Sequence, residues 1–265
     1  MTSLPIVQID AFADRPFTGN PAAVMPLATW LADDVLQAIA AENNLSETAF
    51  LVRDVSGSTD YELRWFTPAA EVALCGHATL ASGHYLLAAD PARDRVTFQT
   101  RHAGVLAVER AGAGYDLALP AWAPDPKPLG DIAAALGLDP DTESHWYDAG
   151  YALIVARDAG VVRGLAPDQA ALARCGKLVA IVTAAGADTD VISRVFTPYY
   201  DIPEDPVTGS AHAVMTPYWA KRLGRDSFTA YQASRRGGHV GCRLAGDRVI
   251  LTGQCVTVME GVFLL

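Results

Sequence analysis

The sequence predicts an α+β fold of two similar lobes, each a β-barrel-like sheet wound around one central α-helix. An eight-residue pattern occurs first as Arg64-Trp65-Phe66-Thr67-Pro68-x-x-Glu71 and again, in the second half, as Arg194-Val195-Phe196-Thr197-Pro198-x-x-Asp201. The offset between the copies is close to half of the 265-residue length, as expected for a duplicated unit. The helix predicted after the first copy is also apolar on nearly every face, which is typical of a helix that a sheet surrounds.

The first half predicts two helices among short strands. Apolar residues recur at helical spacing from Asp33 to Glu42, and Asn43-Asn44 is a plausible stop because Asn tolerates the left-handed conformation. The elements predicted to follow are strands at 48–53 and 61–66, a helix at about 77–88, and strands near 96–100, 105–109 and 115–119.

The second half predicts the same order of elements. They are a helix at 168–174, strands at 178–183 and 191–196, a helix at 210–223, and strands near 239–244, 248–252 and 255–258. Between the halves, the segment from Pro120 to Pro128 holds four prolines, which rules out a helix or a central strand there. We therefore predict a first lobe at residues 1–120, a proline-rich linker at 121–129 and a second lobe at 130–265, with the last strand belonging to either lobe. A long surface loop within one domain is the alternative.

Composition excludes several classes of partner. The chain is 51% hydrophobic with a net charge of −10, and its longest basic cluster is the pair Arg235-Arg236, so nucleic acid is not expected to bind. No stretch approaches the roughly 20 apolar residues of a membrane span, and the first residues lack the pattern of a secretory signal. The four cysteines are scattered, with no C-x-x-C pair, which favours reduced thiols in a cytoplasmic protein over a zinc site or disulfides.

Four motifs follow one another in order along the chain. They are Asp10-Ala11-Phe12-x-x-x-Pro16-Phe17-x-Gly19-Asn20-Pro21-Ala22-Ala23-Val24, Asn44-Leu45-Ser46-Glu47-Thr48, Cys75-Gly76-His77-Ala78-Thr79 and Asp205-Pro206-Val207-Thr208-Gly209-Ser210-Ala211-His212. Together they resemble the PhzF family of phenazine-biosynthesis-type isomerases, relatives of diaminopimelate epimerase, over nearly the whole chain. The resemblance implies the diaminopimelate epimerase-like fold, a site between the lobes that uses no cofactor and no metal, and a homodimer. It implies no particular substrate, because the family is functionally mixed.

Glu47 is the first candidate for proton transfer. It opens an apolar strand, and a carboxylate among apolar neighbours is expected to have a raised pKa, which suits acid–base work near neutral pH. A solvated glutamate at a strand entrance is the alternative from the residues alone. The resemblance implies that Glu47 is the general base and acid, with His77 lining the site and Asp205 sharing in proton handling.

The remaining candidates concern substrate binding. Two helix N-termini could aim backbone N–H groups at one carboxylate, and Gly76 and Gly209 would let it approach closely because they lack Cβ atoms. Ser210 is either the N-cap of the second helix or a ligand contact, and Asn20 either a turn residue or a ligand contact.

These expectations combine into one function with two alternatives. The main hypothesis is a cofactor-independent isomerase of a small carboxylate, in which Glu47 shifts a proton between carbons in the cleft between the lobes. The first alternative is an amino-acid racemase or epimerase that uses Cys75, although the second lobe offers Asp205 rather than a cysteine in the corresponding turn. The second alternative is a non-catalytic binding protein that retains the fold.

Overall fold

The computed structural model describes residues 2–200 and 202–265, and its chain divides into two compact units. Unit 1 comprises residues 1–118 and 252–265, and unit 2 comprises residues 119–251. The chain therefore begins and ends in unit 1. The segment 121–129 lies inside unit 2, where Asp125 and Pro126 pair with a neighbouring strand. Among the described residues, no helix combines the length and apolar character needed to cross a bilayer.

Helices are interspersed among runs of strands along the described chain. The first part contains β1 (Ser3–Ala11), β2 (Asn20–Leu27), α1 (Asp33–Asn43), β3 (Glu47–Arg53), β4 (Tyr61–Phe66), β5 (Glu71–Val72), α2 (Gly76–Ala89), β6 (Arg95–Thr100), β7 (Val105–Ala111) and β8 (Gly114–Pro120). The rest contains β9 (Asp125–Pro126), α3 (Gly130–Ala135), β10 (Ser144–Tyr147), β11 (Tyr151–Val155), α4 (Ala159–Arg163), α5 (Gln169–Arg174), β12 (Val179–Ala185), β13 (Val191–Thr197), a 3₁₀ turn (Pro198–Tyr200), β14 (Ile202–Asp205), α6 (Gly209–Leu223), β15 (Ser227–Gln232), β16 (Gly238–Ala245), β17 (Arg248–Gly253) and β18 (Cys255–Leu264).

The strand pairing repeats between the units. In unit 1, β1 and β2 are antiparallel, β2 and β3 parallel, β3 and β4 antiparallel, β4 and β6 parallel, and β6 and β7 antiparallel. In unit 2, the strands β10, β11, β12, β13, β15 and β16 pair in that order with the same alternation of directions. The prediction of an α+β fold built from two similar sheets is confirmed.

Each unit buries one central helix against its sheet. In unit 1, α2 contacts β1, β2, β3, β6, β7 and β18, and its N-terminal half, from Gly76 to Gly83, is fully buried. Small side chains on all faces let strands approach on every side, so the predicted all-round apolar helix is confirmed. In unit 2, α6 contacts β11 and β16, and its Trp219 donates its indole N–H to Thr183 Oγ1 at 3.0 Å.

The repeated eight-residue pattern is a buried ion pair with a stacked aromatic ring. The guanidinium of Arg64 lies 5.0 Å from the Phe66 ring and bonds both oxygens of Glu71 at 2.8 Å. In the second copy, Arg194 lies 5.0 Å from the Phe196 ring. Its carboxylate partner is Glu204, at 2.7 and 2.9 Å. Asp201, which the sequence pattern aligned with Glu71, lies outside the described residues.

The repeat therefore changes its offset after β13. Glu204 lies as many residues after Glu71 as the start of α6 lies after the start of α2. This separation is longer than the one between Arg64 and Arg194. The 3₁₀ turn at Pro198–Tyr200 lies in the segment where the additional length is accommodated. The counterpart of Cys75 is consequently Thr208, since each precedes the first residue of its helix. Asp205, which the sequence placed in the corresponding turn, ends β14 just before that turn.

Candidate active site

Glu47, Cys75 and His77 converge in unit 1. Glu47 is the first residue of β3, placed there because Asn44 ends α1 in the left-handed conformation (φ 48°) and turns the chain. Cys75 is the N-cap of α2, and His77 is in its first turn. Nε2 of His77 lies 3.0 Å from Oε2 of Glu47, and Nδ1 of His77 lies 3.5 Å from Sγ of Cys75.

Asn20 completes the surroundings of the His77 ring. It is fully buried, and its Nδ2 lies 3.3 Å from Nδ1 of His77. The loop before it needs Gly19, whose φ is +65° and whose Cβ, if present, would overlap the Ala11 carbonyl. Asp10 secures the same loop by accepting the Phe17 N–H at 3.0 Å. The first sequence motif is thus the loop that presents Asn20 to His77.

Burial and neighbouring charge act in opposite directions on His77. Burial lowers the pKa of the imidazole, but negative charge at Cys75 and Glu47 together with hydrogen bonds to both residues outweighs it, so its pKa lies well above the ordinary 6.5. Burial, and then the Glu47 carboxylate, raise the pKa of the Cys75 thiol. The thiol is neutral at neutral pH, so Glu47 is the neighbour whose negative charge acts on His77 there.

The three side chains could in principle ligate a metal, since one donor atom of each lies within 4.8 Å of the others. Cysteine sulfur, imidazole nitrogen and carboxylate oxygen are all zinc ligands. The imidazole, however, lies between its partners, with Nδ1 towards Cys75 and Nε2 towards Glu47. The three groups thus form a chain of contacts through the ring rather than surround one point. This arrangement suits proton transfer better than metal binding.

In unit 2, Asp205 is the last residue of β14 and is held by the turn that follows. The Thr208 hydroxyl donates to Oδ2 of Asp205 at 2.5 Å. Gln232, which is fully buried, donates through Nε2 to the Asp205 carbonyl at 2.7 Å and accepts the Thr208 N–H at 2.9 Å. Asp205 itself is half-buried.

The N-cap of α6 is not the residue that the sequence suggested. Thr208, not Ser210, is the N-cap of α6, because the helix begins at Gly209. In both α2 and α6 the N-cap side chain makes no capping bond, since the Thr208 hydroxyl is directed to Asp205 instead. Ser210 lies in the first turn, half-buried, and bonds the Tyr151 hydroxyl. First-turn N–H groups that the cap leaves unbonded can receive an anion.

The predicted site residues fall into two groups. Asn20, Glu47, Gly76 and His77 lie in unit 1, and Asp205, Gly209 and Ser210 lie in unit 2. Sequence reasoning missed the roles of Thr208, Gln232 and Tyr151. Thr208 stood within a quoted motif, but Gln232 and Tyr151 carried no local signal because only the folded sheet brings them to the start of α6.

Comparison with known proteins identifies close relatives of the chain. The model of the phenazine biosynthesis-like (PhzC-PhzF) family matches residues 9–261. An uncharacterized isomerase of Pseudomonas aeruginosa is 47% identical over 96% of each chain, and one of Halalkalibacterium halodurans is 41% identical over 100% of each. The crystal structure of a PhzF family protein from Enterococcus faecalis superposes with a TM-score of 0.90, 42% identity and 100% coverage of both chains.

A more distant likeness concerns the fold alone. A hydroxyproline epimerase from Agrobacterium vitis is 13% identical, with a TM-score of 0.63 over 98% of this chain and 92% of its own. The epimerase-like fold expected from the sequence motifs is thereby confirmed.

Proposed function

Because the chain belongs to the PhzC-PhzF family of phenazine biosynthesis-like proteins and is an isomerase, we propose that it moves a proton between two carbons of a small carboxylate, without a cofactor. The observation that carries the proposal is the contact between Glu47 and His77. The Glu47 side chain is 14% exposed, whereas its partner is 5% exposed. Of the two side chains, Glu47 is thus the more exposed, although the oxygen that contacts His77 is itself buried.

The proposed reaction needs no oxidant and no second reactant. Glu47 removes a proton from a carbon made acidic by a neighbouring unsaturated group, and the C–H electrons form a new double bond. The electrons of the original double bond accept a proton at its far carbon, delivered by the same Glu47 or a neighbouring acid. The imidazolium of His77 keeps the carboxylate oriented and offsets the negative charge that develops on the substrate.

Substrate binding is assigned to the helix starts. The first-turn N–H groups of α2 would receive the substrate carboxylate beside Gly76, which has no Cβ to obstruct it. Gly209, Ser210 and Asp205, named by the sequence motifs, stay proposed as residues that act on the substrate. Asn20, proposed from the sequence as a ligand contact, is fully buried against His77, so its support for the reaction would pass through the imidazole.

The first experiment replaces Glu47 by glutamine. The variant keeps the shape of the side chain and loses its charge and basicity, so we expect a folded protein, less stable than wild type because buried His77 loses its charged neighbour, and no deuterium uptake into substrate in heavy water. The substrate is found by screening small unsaturated and amino carboxylic acids with the wild-type protein. Uptake by Glu47→Gln at the wild-type rate would remove Glu47 from the mechanism.

A thiol mechanism is the alternative that the Cys75–His77 contact raises. The raised pKa of the buried thiol argues against it, because the thiolate is the reactive form. The counterpart of Cys75 in the second unit is Thr208, so a second thiol is also missing from the equivalent position. We expect Cys75→Ala to retain deuterium uptake under the conditions in which Glu47→Gln has lost it. The opposite pattern would favour the thiol.

A further inference from the structure

Gln232 is a fully buried amide at the end of β15. Its Oε1 accepts the Thr208 N–H at 2.9 Å, and its Nε2 lies 2.7 Å from the Asp205 carbonyl and 3.2 Å from Thr208 Oγ1. Three contacts with suitable donors and acceptors fix the orientation of the amide. One side chain therefore bonds both ends of the turn that carries Asp205 into α6.

These contacts give the hydrogen-bond chain a direction. An amide NH₂ group only donates, so the Thr208 oxygen receives the Gln232 proton on a lone pair. The Thr208 hydroxyl has one proton to give, and Oδ2 of Asp205 accepts it at 2.5 Å. The order is Gln232 N–H to Thr208 O–H to the Asp205 carboxylate. Gln232 thus determines which group the Thr208 hydroxyl faces.

The rest of the turn is also fixed from neighbouring elements. Ser234 donates its hydroxyl to the Pro206 carbonyl at 2.7 Å. His212 contacts the Thr208 carbonyl through Nδ1 at 2.8 Å, and burial lowers its pKa to about 4, so it is neutral at pH 7 and donates a single N–H there. Among the described residues, the titratable groups with printed contacts to this network include Asp205, His212 and Tyr151. The pKa of Tyr151 is raised by burial, with smaller contributions from Tyr200 and the Asp205 charge.

We propose that Gln232 is a positioning residue for Asp205, acting through the Thr208 hydroxyl. It aims the carboxylate, and because the Thr208 side chain makes no cap bond, the first-turn N–H groups of α6 stay available to an anion. The inference rests on the proposed function, in which Asp205 takes part in the reaction. It adds Gln232 and Thr208 as residues that do not contact the substrate but orient the Asp205 carboxylate towards it.

The test reverses the polarity of the amide with Gln232→Glu. A carboxylate at 232 accepts the Thr208 hydroxyl proton in place of Asp205, so we expect deuterium uptake at pH 8 to fall at least about tenfold, within the range general acid–base groups contribute. As the pH falls and the new carboxyl group is protonated, it can donate again, and uptake should recover relative to wild type. Recovery would show that the hydrogen-bonding polarity at position 232, rather than the shape of its side chain, sets the rate, because Glu keeps the shape of Gln. Gln99→Glu makes the same change at an exposed position and should leave uptake unchanged.

A second variant covers failure of the first to fold. Thr208→Val keeps the side-chain shape and removes the hydroxyl, and it should lower uptake as much as Gln232→Glu. A readout without substrate is the downfield proton resonance of the Thr208 hydroxyl, assigned by its loss in Thr208→Val. At pH 8 this resonance should shift in Gln232→Glu, because the acceptor of the hydroxyl changes from Asp205 to the new carboxylate, and stay at its wild-type position in Gln99→Glu. Wild-type uptake in both Gln232→Glu and Thr208→Val, or an unshifted resonance in Gln232→Glu, would overturn the inference.

The Asp205→Asn variant distinguishes failure of this inference from failure of the proposed function. If Asp205→Asn is inactive while Gln232→Glu and Thr208→Val match wild type, the positioning role is wrong and the proposed reaction stands. If Asp205→Asn is fully active, Asp205 has no part in the reaction, and the inference fails with it. Loss of uptake in all three variants, with pH recovery only in Gln232→Glu, supports both.

Discussion

His77 shows how a single buried residue links stability to the chemistry of the site. Burial lowers its pKa, but the negative charge beside it raises the pKa well above 6.5 overall. A group whose folded pKa is raised contributes stability that is fully present below its unfolded pKa, about 6.5, and lost as the pH rises through the folded value. The same deprotonation removes the imidazolium from the Glu47 carboxylate. Stability and activity should therefore decline together on the alkaline side.

The pH profile of deuterium uptake tests this description. Wild-type uptake should persist through pH 7 and fall as the pH rises through the raised pKa of His77. His77→Gln should show a lower rate, reduced about tenfold or more as expected for loss of a group that assists proton transfer, and should lack this alkaline fall. The thermal stability of the two proteins should converge over the same pH interval. An alkaline fall that persists unchanged in His77→Gln would assign it to another group.

The sequence could identify individual candidate residues but not the contacts between them. Glu47 and His77 were predicted from motifs, yet they lie in separate elements, and only the pairing of β3 with its neighbours and the burial of α2 bring them to 3.0 Å. Asn20 was predicted as a turn residue or a ligand contact, whereas its amide faces His77. Ser210 was weighed as a cap because Ser is a common N-cap, but that position belongs to Thr208. Local patterns carry no information about such long-range contacts.

Among the elements, α2 depends on small residues where a strand crosses it closely. Gly83 lies in its buried half, and a Cβ there would overlap the side chain of Val108 on β7. Gly83→Ala should therefore destabilise the protein by about 1–3 kcal/mol, typical of overpacking, even though alanine favours helix by up to about 1 kcal/mol over glycine. Urea unfolding would measure the change.

A double-mutant cycle identifies the cause of that loss. Val108→Ala removes the two methyl carbons that the new Cβ would meet but keeps the Val108 Cβ, so Gly83→Ala should cost less, though still something, in the Val108→Ala background than in wild type. The Val108→Ala single variant is the matched control, because it creates a cavity without the overlap. Equal costs of Gly83→Ala in both backgrounds would show that the glycine is required for a reason other than Val108.

The strand β2 shows why sequence analysis missed some elements. β2 contains Pro21 and Pro26, which the usual rule excludes from central strands, yet β2 pairs with β1 on one side and β3 on the other. Burial on both sides outweighs the lost N–H groups, since Ala22 to Met25 are almost fully buried. By contrast, strands with clear apolar runs, such as β3 and β4, were predicted to within one residue.

For the whole molecule, the chain closes on itself in unit 1. β18 pairs with β1 in an antiparallel ladder from Ser3–Leu264 to Ala11–Cys255. Thr2 and Leu265 exchange two backbone hydrogen bonds of 2.8 Å, so the two ends lie side by side. The sequence left the last strand to either lobe because pairing between opposite ends of a chain leaves no local signal. The homodimer expected from the family resemblance stays a prediction at this scale.

Adjacent ends predict that the chain can be rejoined and opened elsewhere, since circular permutation succeeds at exposed turns. We expect a permutant that links Leu265 to Thr2 through a short glycine linker and opens between Ser56 and Gly57 to fold and retain deuterium uptake. The opening falls in an exposed turn beside Val55, which is 96% exposed. The matched control uses the same linker but opens between Ala81 and Ser82, inside the buried half of α2, and should not fold. Circular dichroism and uptake measure both. Failure of the first permutant, with the terminal linker intact, would mean that the β3–β4 turn must form before the ends can pair.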